Sequence, residues 1–544
     1  MKKASILLFV VALTVLALAL SSCAGCFGVP DNRDDPAVSP SYDDAATSDD
    51  NGGNGNNGGN GSRDDSGDVG DDSGNQGDKP DDPHVHAFGE WSVLKEATCT
   101  EDGTKEATCT CGEKKTETIP AKGHTEAIDA AKAATCTETG LTEGKHCSVC
   151  NEVLVKQEVV AAKGHKMADG VCKNCGAKES AGLEYVVVAS NYYVSSYGTC
   201  TDTDIIIPEM HDGKPVTGIY SKCFISRHNI KSVYIPGTVT EIKNMAFEDC
   251  IELSNVIISE GVVAIRDYAF KGCIKLTGVV IPGSVKSIEY GAFENCLALS
   301  DIDISENVTG ISRYVLDNTA YSNDPSNWTD DVLYVGNYLI AAKATVPKDY
   351  SVKPGTKHIA ISAFFGCKDL NSVNIPGSVI DIGKQAFYQC EKLAKLTVEE
   401  GVLYIGEMAF SGCDNIKDIS LPDSLIGIGQ DAFSSKVYAT DSDNVSYIGN
   451  HLIWAYQWNT GKYTVKTGTK CIADRAFAYG KWTGITIPDS VTSIGDFAFD
   501  GCTGLTSITF NGTMAQWNAI EKGQYWAGYS GNYTIHCTDG DISK

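Results

Sequence analysis

An Ala-Phe pair that returns every twenty-three residues constrains the fold of this chain more than any other feature. The pairs begin at Ala246, Ala269, Ala292, Ala363, Ala386, Ala409 and Ala432. A cysteine follows three positions after most of these phenylalanines, and an apolar-Pro dipeptide such as Ile281-Pro282 precedes the pair. A fixed period of this length predicts a solenoid, in which each coil is one structural unit stacked on its neighbours.

Within each coil a short segment alternates between apolar and polar residues. The stretch from Asp301 to Ile304 reads Asp-Ile-Asp-Ile, and the stretch from Ser372 to Ile375 reads Ser-Val-Asn-Ile. A period of two predicts a strand that buries one side only. Stacked coils would join these strands into a parallel sheet that ends at the proline, with the phenylalanines in the shared core. The predicted fold class is therefore a mainly β repeat solenoid.

The period is interrupted twice. Leu316 stands where a phenylalanine is expected after Phe293, and the period resumes at Phe364; a second gap runs from Phe433 to Phe477. Both gaps contain a Gly-Asn dipeptide between two apolar runs, which predicts a β-hairpin. Each gap is therefore predicted to be a coil enlarged by a hairpin. Residues 183–188 and 513–537 are predicted to cap the open ends of the solenoid.

The segment from Ile485 to Cys502 resembles the leucine-rich repeats of bacterial surface antigens that are called BspA-like. It reads Ile-Thr-Ile-Pro-Asp-Ser-Val-Thr-Ser-Ile-Gly-Asp-Phe-Ala-Phe-Asp-Gly-Cys, and the resemblance covers residues 181–544. It implies a curved, right-handed leucine-rich-repeat solenoid of about 23-residue coils, whose strands line one face. It also implies adhesion to, or binding of, host proteins, matrix or glycans, without a catalytic centre.

The polar, outward-pointing strand positions are the candidate ligand-binding residues, because they are free to vary without disturbing the core. We call them the candidate strand face: Ser232, Tyr234, Asn255, Asp301, Asp303, Ser372, Asn374, Lys395, Thr397, Asp418, Ser420, Thr486, Ser507 and Thr509. Tryptophans in or beside the enlarged coils (Trp328, Trp454, Trp458 and Trp482) are either further contact points or local core. The histidines of the solenoid are scattered, and no phosphate loop or His-Glu-x-x-His motif occurs, so we predict no enzyme. The alternative function is a structural envelope spacer without a specific ligand.

The N-terminus predicts export and a lipid anchor. Residues 1–22 have two lysines, an apolar run and small residues before Cys23, which is the pattern of a lipoprotein signal; Cys26 is the alternative lipidation site. Acylation of Cys23 would tether the chain at the bacterial cell surface. Residues 23–83 form an acidic Gly/Asn/Asp/Ser linker that is too polar to fold. The formal net charge of -26 argues against a nucleic-acid partner.

Residues 84–180 contain a second repeat, which is rich in cysteine and histidine. Three cysteines and one histidine per unit match the donors of a closed zinc site, while disulfides are the alternative in an exported chain. The predicted metal ligands are His86, Cys99, Cys109, Cys111, His124, Cys136, Cys147, Cys150, His165, Cys172 and Cys175. His124 and His165 lie between units, so the sequence leaves open which cysteines each would join, and at most two sites are complete. These units resemble Cys/His-rich repeats beside surface domains of bacterial exported proteins, which implies a spacer or adaptor.

Overall fold

Every regular coil of the solenoid has three parts: a strand of mostly four residues, a strand of two residues, and a turn-rich segment with the Ala-Phe pair. The computed structural model describes residues 85–160 and 162–543. The predicted signal peptide, the Cys23 lipidation site and the whole acidic linker (residues 23–83) lie outside the described residues. Residues 86–160 and 162–543 pack as one compact unit.

The first strand of each coil joins a row of mainly parallel strands, which we call the long-strand row. In it Ser232 lies opposite Asn255, and Val233 lies opposite Val256. Burial alternates along Asp301–Ile304, so the predicted half-buried strand is confirmed. The members of the row are Asp204–Ile206, Ser232–Ile235, Asn255–Ile258, Gly278–Ile281, Asp301–Ile304, Asp349–Ser351, Ser372–Ile375, Lys395–Val398, Asp418–Ser420, Thr460–Thr464, Lys481–Ile487, Ser507–Phe510, Thr534–Cys537 and the antiparallel Gly540–Ser543.

A second parallel row, the short-strand row, runs along another side of the coils. Its strands are two residues long, too short to show an alternating pattern, and the sequence did not predict them. The members of the row are Glu241–Ile242, Ala264–Ile265, Ser287–Ile288, Gly310–Ile311, His358–Ile359, Asp381–Ile382, Tyr404–Ile405, Gly427–Ile428, Cys471–Ile472, Ser493–Ile494 and Glu521–Lys522.

The core is a stack of phenylalanine rings in three segments that are separated by the two enlarged coils. Successive ring centroids lie 4.6 to 5.4 Å apart, and their planes diverge by 12° or less. The cysteine after each ring has a bonding role. The thiols of Cys250, Cys273, Cys296, Cys390, Cys413 and Cys502 donate to the phenylalanine carbonyl of the preceding coil at 3.0 to 3.3 Å. These thiols are free and buried, so they link coils without covalent bonds.

Both predicted hairpins are present. Val332–Val335 pairs with Tyr338–Ala342, and Val445–Ile448 pairs with His451–Ala455, each across a two-residue Gly-Asn turn. The glycines Gly336 and Gly449 have φ values of 53° and 54°, which this kind of turn requires. The first enlarged coil also contains helix α1 (Ala320–Asn323), a 3-10 turn (Pro325–Asn327) and the strand Trp328–Thr329, while the second adds Ala439–Thr440.

The ends of the solenoid differ from its regular coils. At the start, Glu184–Val188 and Asn191–Ser196 form a hairpin that continues in parallel to Lys214–Ile219, whose first residues pair with Met210–His211. Near the C-terminus, helix α2 (Met514–Ala519) begins with a capping box between Thr513 and Gln516 and buries Trp517. Its indole packs against Phe510 of the last regular coil.

The Cys/His segment consists of small antiparallel sheets. The strands are Ser92–Lys95, Gly103–Thr108 and Lys114–Ile119 in one sheet; Glu126–Asp129, Gly144–Cys147 and Val153–Val155 in the next; and the pairs Gly140–Leu141 with Val159–Val160 and Met167–Ala168 with Val171–Cys172. None of the large apolar side chains in these strands is buried, and several, including Val93, Leu94 and Ile128, are exposed. These sheets therefore have too little apolar core to be stable without additional links.

Candidate functional site

Two clusters in the Cys/His segment bring together four metal-binding side chains each. In both, a cysteine from one unit meets the His and the Cys-x-x-Cys pair of the next. The first cluster, which we call site A, consists of Cys99, His124, Cys147 and Cys150, and the second, site B, consists of Cys136, His165, Cys172 and Cys175. Within each site all donor atoms lie within 4.8 Å of one another. Each histidine thus lies with the isolated cysteine of the unit before it and the Cys-x-x-Cys pair of the unit after it. The sequence alone had left this assignment open.

The spacing of the donor atoms matches a tetrahedral ion. The Cys99 and Cys147 sulfurs are 3.8 Å apart, and the Cys136 and Cys172 sulfurs are 4.0 Å apart. A tetrahedral ion with bonds of about 2.3 Å to sulfur and about 2.0 Å to nitrogen places two sulfurs about 3.8 Å apart, and sulfur and nitrogen about 3.5 Å apart. A disulfide would require about 2.05 Å between the sulfurs.

The histidine distances agree with the same geometry. The Nδ1 atoms of His124 and His165 lie 3.5 and 3.3 Å from the sulfurs of Cys150 and Cys175. The donor set of three thiols and one imidazole is therefore already arranged to hold a metal ion in the Cys₃His geometry that is typical of structural zinc.

Backbone amides prepare one thiol in each site for metal binding. The N–H of Cys150 donates towards the Cys147 sulfur and lowers the pKa of that thiol to about 5. Burial raises the pKa of Cys172, but the N–H groups of Asn174 and Cys175 outweigh it and bring that pKa down to about 6. The turn after each pair depends on a left-handed residue, Asn151 (φ 62°) or Gly176 (φ 77°).

A third cluster has only three donors. His86, Cys109 and Cys111 meet near the start of the described residues, with 3.3 Å between the His86 Nδ1 and the Cys111 sulfur. No cysteine of a preceding unit joins them among the described residues, and the His86 Nε2 instead lies 2.9 Å from a carboxylate oxygen of Glu113. This cluster thus lacks the fourth protein donor that sites A and B have.

Site B lies directly against the long-strand row. The Tyr234 hydroxyl donates to the His165 carbonyl at 3.1 Å, and the two rings pack edge to face at 4.9 Å. Tyr234, Ile206 and Ile257 form a small apolar cluster with residues of the unit that contains site B. We call residues 162–180 the docked unit. Tyr234, which the sequence predicted to point away from the solenoid core, does so but is buried beneath this unit.

The Cys/His unit that precedes the docked unit contacts the candidate strand face at the next coil. The Asn255 side chain donates to the Thr137 carbonyl at 2.7 Å, and a cleft of about 1040 Å³ remains between the Cys/His units and the strands up to Asp303. Sequence reasoning missed this contact because it joins positions more than a hundred residues apart that share no pattern.

From Asp301 onward, at the edge of the cleft, the candidate strand face is open to solvent. Asp301, Asp303, Lys395, Asp418, Ser420 and Thr509 are exposed, and Ser232, Asn255, Ser372, Asn374, Thr397, Thr486 and Ser507 are half-buried. The Lys395 ammonium lies 3.1 Å from the Asp418 carboxylate, whereas the Asp301 and Asp303 carboxylates form no ion pair with any described residue. The face can therefore offer uncompensated negative charge near the cleft and mixed polar groups further along.

The four tryptophans separate into core and surface. Trp482 is 3% exposed and packs against Tyr463 and Phe477, so it belongs to the core. Trp328 is half-buried, and its indole N–H donates to the Ser322 carbonyl at 2.7 Å. Trp454 and Trp458 are 41% and 57% exposed. Only these two remain candidates for contact with a ligand.

Comparison with known proteins identifies the repeats. A family model for the BspA type leucine-rich repeat region matches six copies across residues 217–346, 347–456 and 470–520. No curated protein gives a significant match.

Solved leucine-rich-repeat structures also match. A leucine-rich cell surface protein from Faecalibacterium prausnitzii is 24% identical over 63% of this chain and 98% of its own, with a TM-score of 0.24. A leucine-rich repeat protein from Bacteroides ovatus is 18% identical over 65% of this chain and 98% of its own, with a TM-score of 0.20. The pneumococcal vaccine antigen PcpA is 17% identical over 61% and 86%, with a TM-score of 0.23.

Proposed function

The chain belongs to the BspA-type leucine-rich repeat family, and we propose that it is a non-enzymatic cell-surface protein that binds a host or matrix protein or a glycan through its solenoid. The observation that carries this proposal is the open part of the candidate strand face, from Asp301 to Thr509. Parallel strand pairing in three successive sheets holds these side chains in fixed rows, while the core positions beneath them stay apolar. Such a surface is suited to an extended partner and offers no enclosed reaction site.

Binding assays on the chain produced from residue 24 onwards test this function. We expect saturable binding to at least one of fibronectin, laminin, fibrinogen, collagen or an immobilised glycan. The double variant Asp301→Ala, Asp303→Ala should weaken it by about tenfold, because each removes an uncompensated charge from the surface. The matched control is Glu306→Ala, an exposed acidic residue in the turn outside the row. No saturable ligand, or equal affinity of all variants, would contradict binding through this face.

A structural spacer is the second candidate function. It is favoured by the docked unit, because the Cys/His units cover the start of the strand face and join it to the tether. In that case we expect no saturable binding to any ligand of the panel, but an abnormal envelope when the chain is absent. Loss of envelope integrity in a deletion strain, without loss of adhesion, would support the spacer against the binding protein.

We also propose that Cys23 carries the lipid that holds the chain at the cell surface. Among the described residues no helix is long and apolar enough to cross a membrane. The support for lipidation is the sequence of the signal, in which small residues precede the cysteine. Cys23→Ser should abolish incorporation of labelled palmitate and release the chain into the medium, whereas Cys26→Ser should do neither. Palmitate incorporation in Cys23→Ser would contradict this assignment.

Sites A and B are proposed to bind zinc. When bound, the ion would supply folding free energy by linking successive units, and four protein donors leave no position for substrate. We expect two zinc ions per chain in the purified protein, and one in the variant Cys147→Ser, Cys150→Ser. Cys250→Ser, which removes a buried solenoid thiol, is the control and should keep both ions. Absence of zinc with the cysteines of sites A and B joined in disulfides would overturn this proposal.

A further inference from the structure

A recess of about 610 Å³ lies on the second enlarged coil. Its walls come from the hairpin strands and from the turn-rich segments of two coils, including Ser411, Asp431 and Tyr438. None of the lining residues belongs to the long-strand row. The recess is therefore distinct from the candidate strand face, and its volume falls in the range of small-ligand pockets.

Two exposed aromatic rings form one wall of the recess. Trp454 and Tyr456 are 41% and 43% exposed, and their centroids lie 5.7 Å apart at 65°. Trp454 is the only exposed side chain in His451–Ala455, and the Tyr456 N–H donates to the Asn444 carbonyl at 3.1 Å. The rings are thus held by paired backbone. The C–H face of a sugar ring, which is weakly positive, fits the negative face of such rings.

Apart from Asp431, the polar side chains around the rings are neutral. The side chains of Ser411, Ser435 and Asn444 form no hydrogen bond with any described residue, so their hydroxyls and amide are available to a ligand. The hydroxyls of Thr440 and Ser446 already bond each other at 3.0 Å. No Lys, Arg or His of the described residues lines the recess, and Asp431 would repel an anionic group. These features favour an uncharged sugar over a uronic or sialic acid.

The first enlarged coil shows that the hairpin does not require these aromatics. Counted from the turn glycines, Ala341 occupies the position of Trp454, and Lys343 occupies that of Tyr456. The recess there is only about 190 Å³, and its Trp328 is covered by the Lys343 ammonium at 4.0 Å. The same hairpin therefore folds with alanine where the second coil exposes an indole, so the exposed rings serve a purpose other than folding.

We propose that the Trp454 recess binds a neutral hexose unit of a glycan, with the sugar stacked on Trp454 and Tyr456 and its hydroxyls bonded to Ser411, Ser435 and Asn444. This proposal rests on the proposed binding function and adds a second site to it. The ring faces supply affinity for any pyranose, while the three neutral polar groups select among hydroxyl arrangements.

Titrations of the chain from residue 24 onwards test this proposal. Glucose, galactose, mannose, N-acetylglucosamine, lactose and maltose are the probes, and tryptophan fluorescence and saturation-transfer NMR are the readouts. At least one of these sugars should bind saturably at millimolar concentration. Trp454→Ala, which copies Ala341, should weaken that binding by about tenfold or more. Trp458→Ala removes an indole that is even more exposed than Trp454 but does not line the recess, and it should leave the affinity unchanged.

Three outcomes would overturn the hexose site: no saturable sugar, equal loss in the two tryptophan variants, or a Trp454-dependent ligand that is a protein. Binding of a matrix ligand through Asp301 and Asp303 is measured on the same variants. If the Trp454→Ala variant still binds the matrix ligand but the parent chain binds none of the sugars, only the recess proposal is wrong. If both kinds of binding are absent, the proposed function itself fails.

Discussion

At the scale of single residues, the position before each Ala-Phe pair explains how one coil bonds to the next. Met245, Tyr268, Gln385 and Met408 have φ values between 55° and 59°, and Gly291 is the one glycine at this position among the nine Ala-Phe pairs of the described residues. A left-handed residue with a side chain costs about 1 to 2 kcal/mol. It is retained because it directs the following N–H groups to the next coil, as when the Phe247 N–H donates to the Ala269 carbonyl at 2.7 Å.

Exchanging the side chain at this position tests the strain. Gln385→Gly removes the Cβ from a left-handed residue, so we expect unchanged stability or a gain of up to about 1 kcal/mol. Ala386→Gly, the matched control at the next position, loses a fully buried methyl group and should cost about 1 kcal/mol. Urea denaturation of both variants measures the difference. A loss in Gln385→Gly as large as in Ala386→Gly would show that the left-handed conformation is not strained.

His451 makes stability depend on pH. It is fully buried, its ring nitrogens make no hydrogen bond of normal geometry with the described residues, and burial lowers its pKa despite the nearby Pro422 carbonyl. Below about pH 6.5 the unfolded chain binds a proton at this residue while the folded chain does not. The free energy of unfolding should therefore fall as the pH is lowered from 7.5 to 5.

The first enlarged coil supplies the variant for this measurement. Tyr338 occupies the place of His451, and its hydroxyl donates to the Ser305 carbonyl at 2.7 Å. His451→Tyr should flatten the pH dependence in denaturant titrations, because tyrosine does not titrate in this range. His228→Asn, at an exposed histidine, should leave the dependence as it is in the parent chain. An equal effect of the two substitutions would rule out His451 as its source.

At the scale of elements, we expect the phenylalanine stack to provide much of the cohesion between coils. Phe387 lies fully buried between Phe364 and Phe410, with ring centroids 4.6 and 5.0 Å away. Phe387→Ala should cost about 3 to 5 kcal/mol, because the rigid stack cannot close the resulting cavity. Phe365→Ala, at a half-buried ring beside Tyr388, should cost clearly less. Thermal denaturation distinguishes the two, and equal losses would refute a dominant role for the stack.

The elements that could be predicted from sequence are those that repeat or that obey a local rule. The twenty-three-residue repeat predicts the coils, the alternation of apolar and polar residues predicts the half-buried strands, and the Gly-Asn dipeptides predict both hairpins. The short-strand row could not be predicted, because two residues carry no period. Nor could the exposure of Trp454 and the burial of Trp482 be predicted, because Trp454 is exposed although it lies in the apolar run His451–Ala455, and Trp482 is buried although both its neighbours are polar.

At the scale of the whole molecule, the Cys/His units and the solenoid depend on each other. Site B contributes His165 to the contact with Tyr234, so an ion that fixes this histidine would also fix the docked unit on the strand face. The donors of site B were predicted from the sequence, but this contact was not, because it joins residues 69 positions apart. Part of the strand face is therefore covered by the chain's own preceding unit, and the accessible part begins near Asp301.

The glycine before each ligand histidine allows this docking to be tested without touching a metal donor. Gly164 has φ 66°, and a Cβ there would lie 3.1 Å from the Tyr234 ring; Gly123, before His124, has φ 72° and open space around it. Both substitutions to alanine place a side chain on a left-handed residue, but only Gly164→Ala crowds the Tyr234 ring and so weakens its contact with the docked unit. Hydrogen exchange of Ser232–Ile235 should therefore rise in Gly164→Ala and stay unchanged in Gly123→Ala. If both variants exchange alike, the docked unit does not protect this strand, and the strand face is open along its whole length.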